Sequence, residues 1–341
     1  MKTAVLAILL FCIMIFPHEL GHFIAARRMG IKVNEFAFGM GPVLWQKQGP
    51  ETLYSIRLLP IGGFCAMEGE DGESEEPRAF NNKKPWQKIV VLVAGSFMNV
   101  VCAVLIMTLV VGIMGFTTTT LDEVTAGLPA EKAGLLPGDK ILQIDGTEIK
   151  EWNDVSAVIY AAEGAEIEVL VERGRETQVV KMIPAVQEGT DASGNPVTGY
   201  VIGVTCKVSH SPFKAVTAGL QSTWNMTKTL FESLRMLATG EAGVDDLSGP
   251  VGMVNMVSQT SQYGFWYYGF LTAFICINLA VVNMLPLPAL DGGRILFVLY
   301  SAITGKAVSE RVEGTIHFAG MMLLFGLMIY VSFNDIVRLF G

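Results

Sequence analysis

Two histidines and one glutamate stand close together in the segment His18-Glu19-Leu20-Gly21-His22. In a helix, residues four apart lie on one face, about 6 Å apart along the axis, so the two imidazoles could share one Zn²⁺. Glu19 would lie beside them, where a carboxylate can take a proton from a water that the metal activates. The spacing predicts metal-assisted hydrolysis, although a motif this short also occurs by chance.

The sequence around the motif favours the functional interpretation. His18, Glu19 and His22 interrupt an otherwise apolar run at 4–26, and the chain has only 4 histidines in all. Burying two imidazoles and a carboxylate in a membrane span costs several kcal/mol unless they bind one another or a ligand. We therefore expect these three side chains to form part of a site.

A catalytic zinc ion needs a third protein ligand and an open position for water. The best candidate is Asp291, which follows Pro286 and Pro288. The two prolines prevent a continuous helix, so the backbone there must find partners in protein or in a water-filled cavity. The remaining histidines, His210 and His317, are weaker candidates, and we expect His317 to be a satisfied residue at a helix end.

The composition is that of an integral membrane protein. Hydrophobic residues make up 51% of the chain and charged residues 16%, and the mean hydropathy is +0.46. A soluble domain usually carries about 25% charged residues. These values exclude disordered and fibrous classes, and the net charge of −8 excludes a nucleic-acid partner.

Four apolar stretches are long enough to cross a bilayer, which takes roughly 20 residues per helix. They lie at 4–26, 89–116, 263–285 and 315–333. A signal peptide is the alternative for the first stretch, but no small-x-small cleavage site follows its apolar core. Lysine and arginine are concentrated at 27–88 and 294–314, so the positive-inside rule predicts cytoplasmic loops there and both termini outside.

An acidic segment at 117–192 holds the excess negative charge of the chain. Its turn-rich, alternating sequence predicts a small, mostly β domain outside the cytoplasm. The run from Pro129-Ala130 through Gly138-Asp139 to Asp145-Gly146 resembles bacterial PDZ domains, which receive an extended chain end by strand addition. A spacer of the same fold that binds no ligand is the alternative.

The motifs together resemble the site-2 protease family of intramembrane zinc metalloproteases, and most closely its bacterial branch with one PDZ domain. They are HELGHF at 18–23, the PDZ-like insert, and NxxPxPxLDGG at 283–293. The resemblance implies that zinc is bound by His18, His22 and Asp291, and that Glu19 activates water.

The same resemblance implies that Asn278 and Asn283 contact the substrate helix, although asparagine in spans also serves to hold helices together. The segment 33–67 looks like the family's membrane-associated β-hairpin. Two positions depart from the family pattern: Ser96 stands where proline is frequent, and Pro17 precedes the first ligand. Pro17 removes one helical hydrogen bond and could kink the first span.

The expected fold is an α-helical polytopic membrane protein of about four transmembrane helices, with a membrane-associated β-hairpin and an inserted extracytoplasmic PDZ-like α+β domain. The expected parts are a first membrane half, the PDZ-like domain, an amphipathic outer-surface segment and a second membrane half. In that order they cover 1–116, 117–205, 206–262 and 263–341. We expect the protein in the bacterial inner membrane, with its active site toward the cytoplasm.

The predicted activity is zinc-dependent hydrolysis of peptide bonds within transmembrane segments, in regulated intramembrane proteolysis. The expected partners are the lipid bilayer, an upstream site-1-type protease, and single-span substrates such as anti-sigma factors, signal-peptide remnants or a sporulation precursor. One alternative is a membrane scaffold that binds through its PDZ-like domain and has an inert metal site. Another is a different membrane zinc peptidase with a glutamate as third ligand, for which no suitable glutamate occurs in a later span.

Overall fold

The chain divides into two units. The structure, a computed structural model, describes residues 2–340 except positions 71, 73, 191–195, 244–248, 261–263 and 307. The first unit comprises Met1–Val110 with Val216–Gly341, and the second comprises Val111–Ala215. The predicted PDZ-like domain at 117–205 falls within the second unit.

The helices follow one another as α1 (Lys2–Arg28), α2 (Pro85–Met114), α3 (Pro129–Lys132), α4 (Trp152–Ala161), α5 (Pro212–Thr239), α6 (Pro250–Thr260), α7 (Phe265–Asn283), α8 (Asp291–Thr304) and α9 (Glu310–Phe340). The strands are β1 (Val33–Gln48), β2 (Leu53–Met67), β3 (Phe116–Val124), β4 (Lys140–Ile144), β5 (Thr147–Glu148), β6 (Ile167–Arg173), β7 (Glu176–Met182), β8 (Ala185–Thr190), β9 (Pro196–Val201) and β10 (Val204–Ser209).

Four of the described helices are long and apolar enough to cross a membrane. The qualifying stretches are Val5–Arg28, Pro85–Met114, Phe265–Asn283 and Arg311–Arg338. They confirm the four predicted spans in length and composition, except that Tyr263, at the predicted start of the third, lies outside the described residues. Helix α1 continues through Pro17. Transmembrane helices tolerate such a proline because neighbouring groups can satisfy the freed carbonyl.

A close crossing of α1 and α2 determines which way the first motif faces. A Cβ atom on Gly21 would lie 2.8 Å from the carbonyl carbon of Ala94 and 3.0 Å from Cα of Gly95. Only a glycine allows the two backbones to come this near, as at many helix contacts in membranes. Ile31 and Val91 are buried in the cluster that continues this contact. The crossing therefore holds the face that carries His18 and His22 against α2.

Strands β1 and β2 form a two-stranded sheet over the segment 33–67. The first half of β1 pairs twice, since Phe36 is opposite both Tyr54 and Cys65, whereas Trp45 in the second half is opposite Ile56. The first half of β1 thus lies between the start and the end of β2, and residues 63–67 at the end of β2 form one edge of the sheet. The other end of the hairpin exposes large apolar side chains, namely Met40, Val43, Leu44, Trp45, Ile56, Leu58 and Leu59.

A six-stranded sheet organises the second unit. Its strand order is β10-β3-β4-β6-β7, with β5 beside β4. The sheet buries its apolar residues against α4, and the core contains Leu121, Ile141, Ile144, Val155, Ile159, Ile167, Val169 and Val171. Asp145 and Gly146 both have positive φ between β4 and β5, which is the predicted hairpin turn. The described residues thus form the small, mostly β domain that the sequence predicts.

Two further helices of the first unit pack on the spans. Helix α5 approaches α2 closely, since a Cβ atom on Gly219 would lie 2.8 Å from Cα of Thr108. Its other side exposes Leu220, Trp224 and Phe231. The predicted position of this segment on the outer membrane surface stays a prediction. Helix α6 begins where Asp335 of α9 accepts hydrogen bonds from two backbone amides of its N-terminus.

Candidate metal centre

The three side chains predicted as ligands meet in the first unit. His18 and His22 lie on α1, Asp291 is the first residue of α8, and their ligand atoms all lie within 4.8 Å of one another. The Nε2 atoms of the histidines are 3.2 Å apart, and each is 3.4 Å from Oδ2 of Asp291. Ligand atoms about 2.0–2.1 Å from a tetrahedral zinc ion lie roughly 3.3–3.4 Å from each other. The three atoms therefore have the spacing that one such ion requires.

A backbone contact orients His22. Its Nδ1 donates a hydrogen bond to the carbonyl oxygen of Val91, with 2.9 Å between the two atoms. Because Nδ1 carries the proton, the lone pair on Nε2 is directed into the cluster and is free to bind a metal. The neighbouring span thus selects the tautomer that a metal ligand needs.

Gly95 of α2 lies directly under both imidazole rings. A Cβ atom at this position would lie 2.7 Å from Cε1 and 2.8 Å from Nδ1 of His18, and closer still to Nε2 of His22. Real side chains do not make such approaches. The glycine therefore forms a flat surface against which the two rings are held side by side.

The turn between α7 and α8 presents Asp291. Gly292 and Gly293 pack onto the backbone of this turn, where a Cβ atom on Gly292 would lie 2.5 Å from the carbonyl oxygen of Met284. The two glycines therefore allow the start of α8 to lie directly against this turn. Ala289, two residues before Asp291, adopts a φ of 72°. Oδ2 of Asp291 is buried and accepts no hydrogen bond within the described part of the chain, so it faces the two Nε2 atoms as an oxygen whose contacts a cation would complete.

The two asparagines differ in position. Nδ2 of Asn283, the last residue of α7, is 3.2 Å from Nε2 of His18, so the structure brings this amide to the cluster. Asn278 stands five residues earlier on α7 and is partly buried. Five residues turn a helix by about 140°. Asn278 therefore faces away from Asn283, and no hydrogen bond joins it to the cluster within the described residues.

Glu19 lies next to the metal-ligand atoms without being one of them. Its side chain packs on β2, where a Cβ atom on Gly63 would meet Cγ of Glu19 at 3.4 Å. The side chain is partly exposed. It is therefore held at the border between the cluster and the hairpin edge.

The remaining histidines lie elsewhere. His210 is in the second unit near Gly115, and His317 of α9 accepts a hydrogen bond at Nδ1 from the backbone amide of Ala289. His317 therefore has a hydrogen-bond partner, as expected, but it lies seven positions after the first residue of α9 and not at the helix end. The hydrogen bond from His22 to Val91 and the ring contact of Gly95 are not predicted from the sequence. A small residue in a span indicates close packing, but the sequence around it does not show which helix packs against it.

Comparisons with known proteins give one family and several similar chains. Residues 6–327 match the family model of peptidase family M50. The zinc metalloprotease RasP of Oceanobacillus iheyensis is 31% identical and covers 100% of both chains. The regulator of sigma-W protease RasP of Bacillus subtilis is 30% identical over 99% of each chain. Among solved structures, a PDZ domain of an SdrC-like protein from Listeria monocytogenes matches 27% of this chain and 86% of its own, with 22% identity and a TM-score of 0.20.

Proposed function

The chain belongs to peptidase family M50, and we propose that it cleaves peptide bonds inside the spans of single-span membrane proteins, at the cluster of His18, His22 and Asp291. It is a zinc metalloprotease with helices apolar enough to cross a membrane. The observation that carries the proposed site is the position of the cluster, since two of its ligands lie within the first of these helices.

In this proposal His18 and His22 hold the zinc ion through their Nε2 atoms, and Asp291 holds it through Oδ2. Two neutral imidazoles and one carboxylate lower the charge of the site from +2 to +1 and leave one position open, as in catalytic zinc sites. A zinc ion held by these residues would supply the Lewis acid that polarises a scissile carbonyl and lowers the pKa of a water.

Glu19 acts as the proton carrier. Its carboxylate takes a proton from the attacking water and delivers it to the nitrogen of the leaving amine. Its position beside the ligand atoms, on the side where β2 passes, supports this role. Asn283 positions the substrate, because its amide lies at His18 and can donate to a peptide oxygen next to the metal. Asn278 contacts the substrate helix farther along α7.

The edge of the hairpin receives the substrate chain. A transmembrane helix hides its carbonyls in its own hydrogen bonds, so the substrate must unwind before it can be cut. The 63–67 end of β2 passes beside Glu19 and forms an edge of the sheet. An unwound segment can add to such an edge as an extra strand. The exposed apolar side chains at the other end of the hairpin would lie in the lipid.

The distribution of lysine and arginine supports a topology with both termini and the PDZ-like domain outside the cytoplasm. Substrates of the anti-sigma factor class fit this topology, and the name of the Bacillus subtilis relative states a role in sigma-W regulation.

We assign the PDZ-like domain the role of a size filter, which excludes substrates with bulky outer domains until a site-1-type protease trims them. Deleting 117–192 should then permit cleavage of untrimmed substrate, and an unchanged need for trimming would contradict this role.

Paired variants test the assignment of the site. In purified full-length protein, Glu19→Gln should abolish cleavage of a single-span reporter and keep stoichiometric zinc, because Glu19 is not a ligand. Asp291→Asn should lose both zinc and cleavage, while Asp122→Asn, at an exposed acidic residue of the second unit, should change neither. Loss of zinc from Glu19→Gln, or normal zinc and proteolysis in Asp291→Asn, would refute the assigned roles. An inert scaffold would show no cleavage in any of these proteins.

A further inference from the structure

Helix α9 contacts the turn that carries the third ligand. Nδ1 of His317 accepts a hydrogen bond from the backbone amide of Ala289, with 2.9 Å between the nitrogens. Ala289 stands two residues before Asp291 and has a φ of 72°, a left-handed conformation that residues other than glycine rarely adopt. Such a conformation persists only where neighbouring groups hold it in place. The imidazole of His317 is a group that does so.

A second contact from the same face of α9 presses on this turn. A Cβ atom on Gly320 would lie 2.8 Å from the carbonyl oxygen of Pro288, so the helix and the turn touch through their backbones. His317 and Gly320 are three residues apart and lie on one face of the helix. Residues 288 and 289 are therefore fixed from one side by two neighbouring positions of α9.

The first turn of α8 is also held from another side. Arg294, three residues after Asp291, forms an ion pair with Glu70 in the segment that follows β2. That pair limits where α8 can move, but it acts after Asp291 in the chain. Before Asp291, the amide of Leu290 donates to the carbonyl oxygen of Leu287 within the turn, and the amide of Ala289 donates to His317. The contact with His317 thus ties this part of the turn to α9.

We propose that His317 is a positioning residue of the metal centre, which keeps Ala289 in its left-handed conformation and thereby directs the carboxylate of Asp291 at His18 and His22. This inference rests on the proposed function, in which Asp291 is a zinc ligand. Metal–ligand distances tolerate about 0.2 Å, and a change of φ at Ala289 displaces the following residues by much more. The role explains a histidine in a helix apolar enough to span the membrane, where an imidazole is costly without a partner.

The test uses two substitutions at position 317 in the full-length protein. His317→Leu removes the acceptor, whereas His317→Asn places an amide oxygen near the position of Nδ1 and keeps it. The first measurement is hydrogen exchange of the 285–291 segment in metal-free protein. Ala289 is exposed in the structure and its amide donates to His317, so exchange at this amide reports on the bond. The second measurement is the half-time of zinc loss to a chelator.

We expect His317→Leu to speed exchange at Ala289 and to shorten the half-time of zinc loss by at least about 10-fold, the usual effect of removing a group that orients a ligand. His317→Asn should stay within about 3-fold of the wild type in both measurements, given the context dependence of single contacts. Unchanged zinc retention in His317→Leu would overturn the proposal. So would an equal loss in His317→Asn when exchange shows that its amide bond is kept.

Two glycines on α9 provide a matched pair that leaves His317 in place. Gly320→Ala should push the turn away and shorten zinc retention. Gly326→Ala should have no effect, because among the described residues no atom outside its own stretch of helix lies within 4 Å of the added methyl group. Asp291→Asn separates this proposal from the assignment of the ligand. If Asp291→Asn keeps its zinc, the proposed function fails; if it loses zinc and both His317→Leu and Gly320→Ala keep it, only the role of His317 fails.

Discussion

Replacing Gly95 by alanine should weaken zinc binding strongly and leave α2 folded. The added Cβ atom would lie 2.7 Å from Cε1 of His18, and ordinary contact begins at 3.4 Å, so this ring must retreat by about 0.7 Å. The ring of His22 must move farther, because its Nε2 is closer. Zinc–nitrogen distances tolerate only about 0.2 Å. We expect the metal affinity to fall about 100-fold, or roughly 2.7 kcal/mol.

The assay is the zinc content of the purified full-length protein together with competition against a chelator. Alanine has a higher helix propensity than glycine by about 1 kcal/mol, so helix content should not fall. Gly112→Ala is the control, because it adds the same methyl group to the same helix at an ordinary contact distance of 3.6 Å from Ala215. Stoichiometric zinc in Gly95→Ala, with the chelator competition of the wild type, would refute the reasoning.

Three further outcomes follow from the described contacts. Removing zinc with a chelator should destabilise the first unit by about 4 kcal/mol when the ion is present at 1,000 times its dissociation constant, and thermal melts with and without added zinc would show it. Asp335→Ala leaves two amides at the start of α6 without an acceptor and should lower the free energy of unfolding by about 1 kcal/mol in a detergent melt. Arg173 donates to Asp139 and holds the pKa of that carboxyl below its ordinary value. The resulting stabilisation is complete above about pH 4 and is lost as the pH falls through the lowered pKa. Asp139→Asn should therefore weaken exchange protection of β4 and β6 at pH 7, and an effect as large at pH 2 would contradict this account.

The parts of the fold that the sequence predicts correctly are those set by local pattern. Four spans follow from uninterrupted apolar stretches, and the Asp145-Gly146 turn follows from the φ values that these two residues tolerate. The spacing of His18 and His22 fixes their common face once the segment is helical. Asp291 joins them in space although 269 positions separate it from His22. Its acidic side chain after a proline-broken segment was sufficient to single it out.

Other features depend on which elements meet, and no local pattern contains that information. The contact of Gly95 with both rings exists only because α2 crosses α1 at Gly21. The hydrogen bond between His317 and Ala289 joins residues 28 positions apart, with the whole of α8 between them in the sequence. Helix α5 has the periodicity of a surface helix, and its close approach to Thr108 became visible only in the structure.

The way in which the ligands are held follows from the lipid that surrounds the spans. In lipid, apolar side chains gain little by leaving the solvent for one another, so helix positions are fixed by shape and by close backbone contact. The elements around the cluster meet in this manner, with Gly21 at the crossing of α1 and α2, Gly95 under the imidazole rings and Gly320 against Pro288. Each contact excludes even a methyl group, so each sets a distance to within a few tenths of an ångström, which is the tolerance of a zinc ligand. Substitution by alanine should therefore impair zinc binding at Gly21, Gly95 and Gly320. It should be tolerated at glycines with open space around them, such as Gly326.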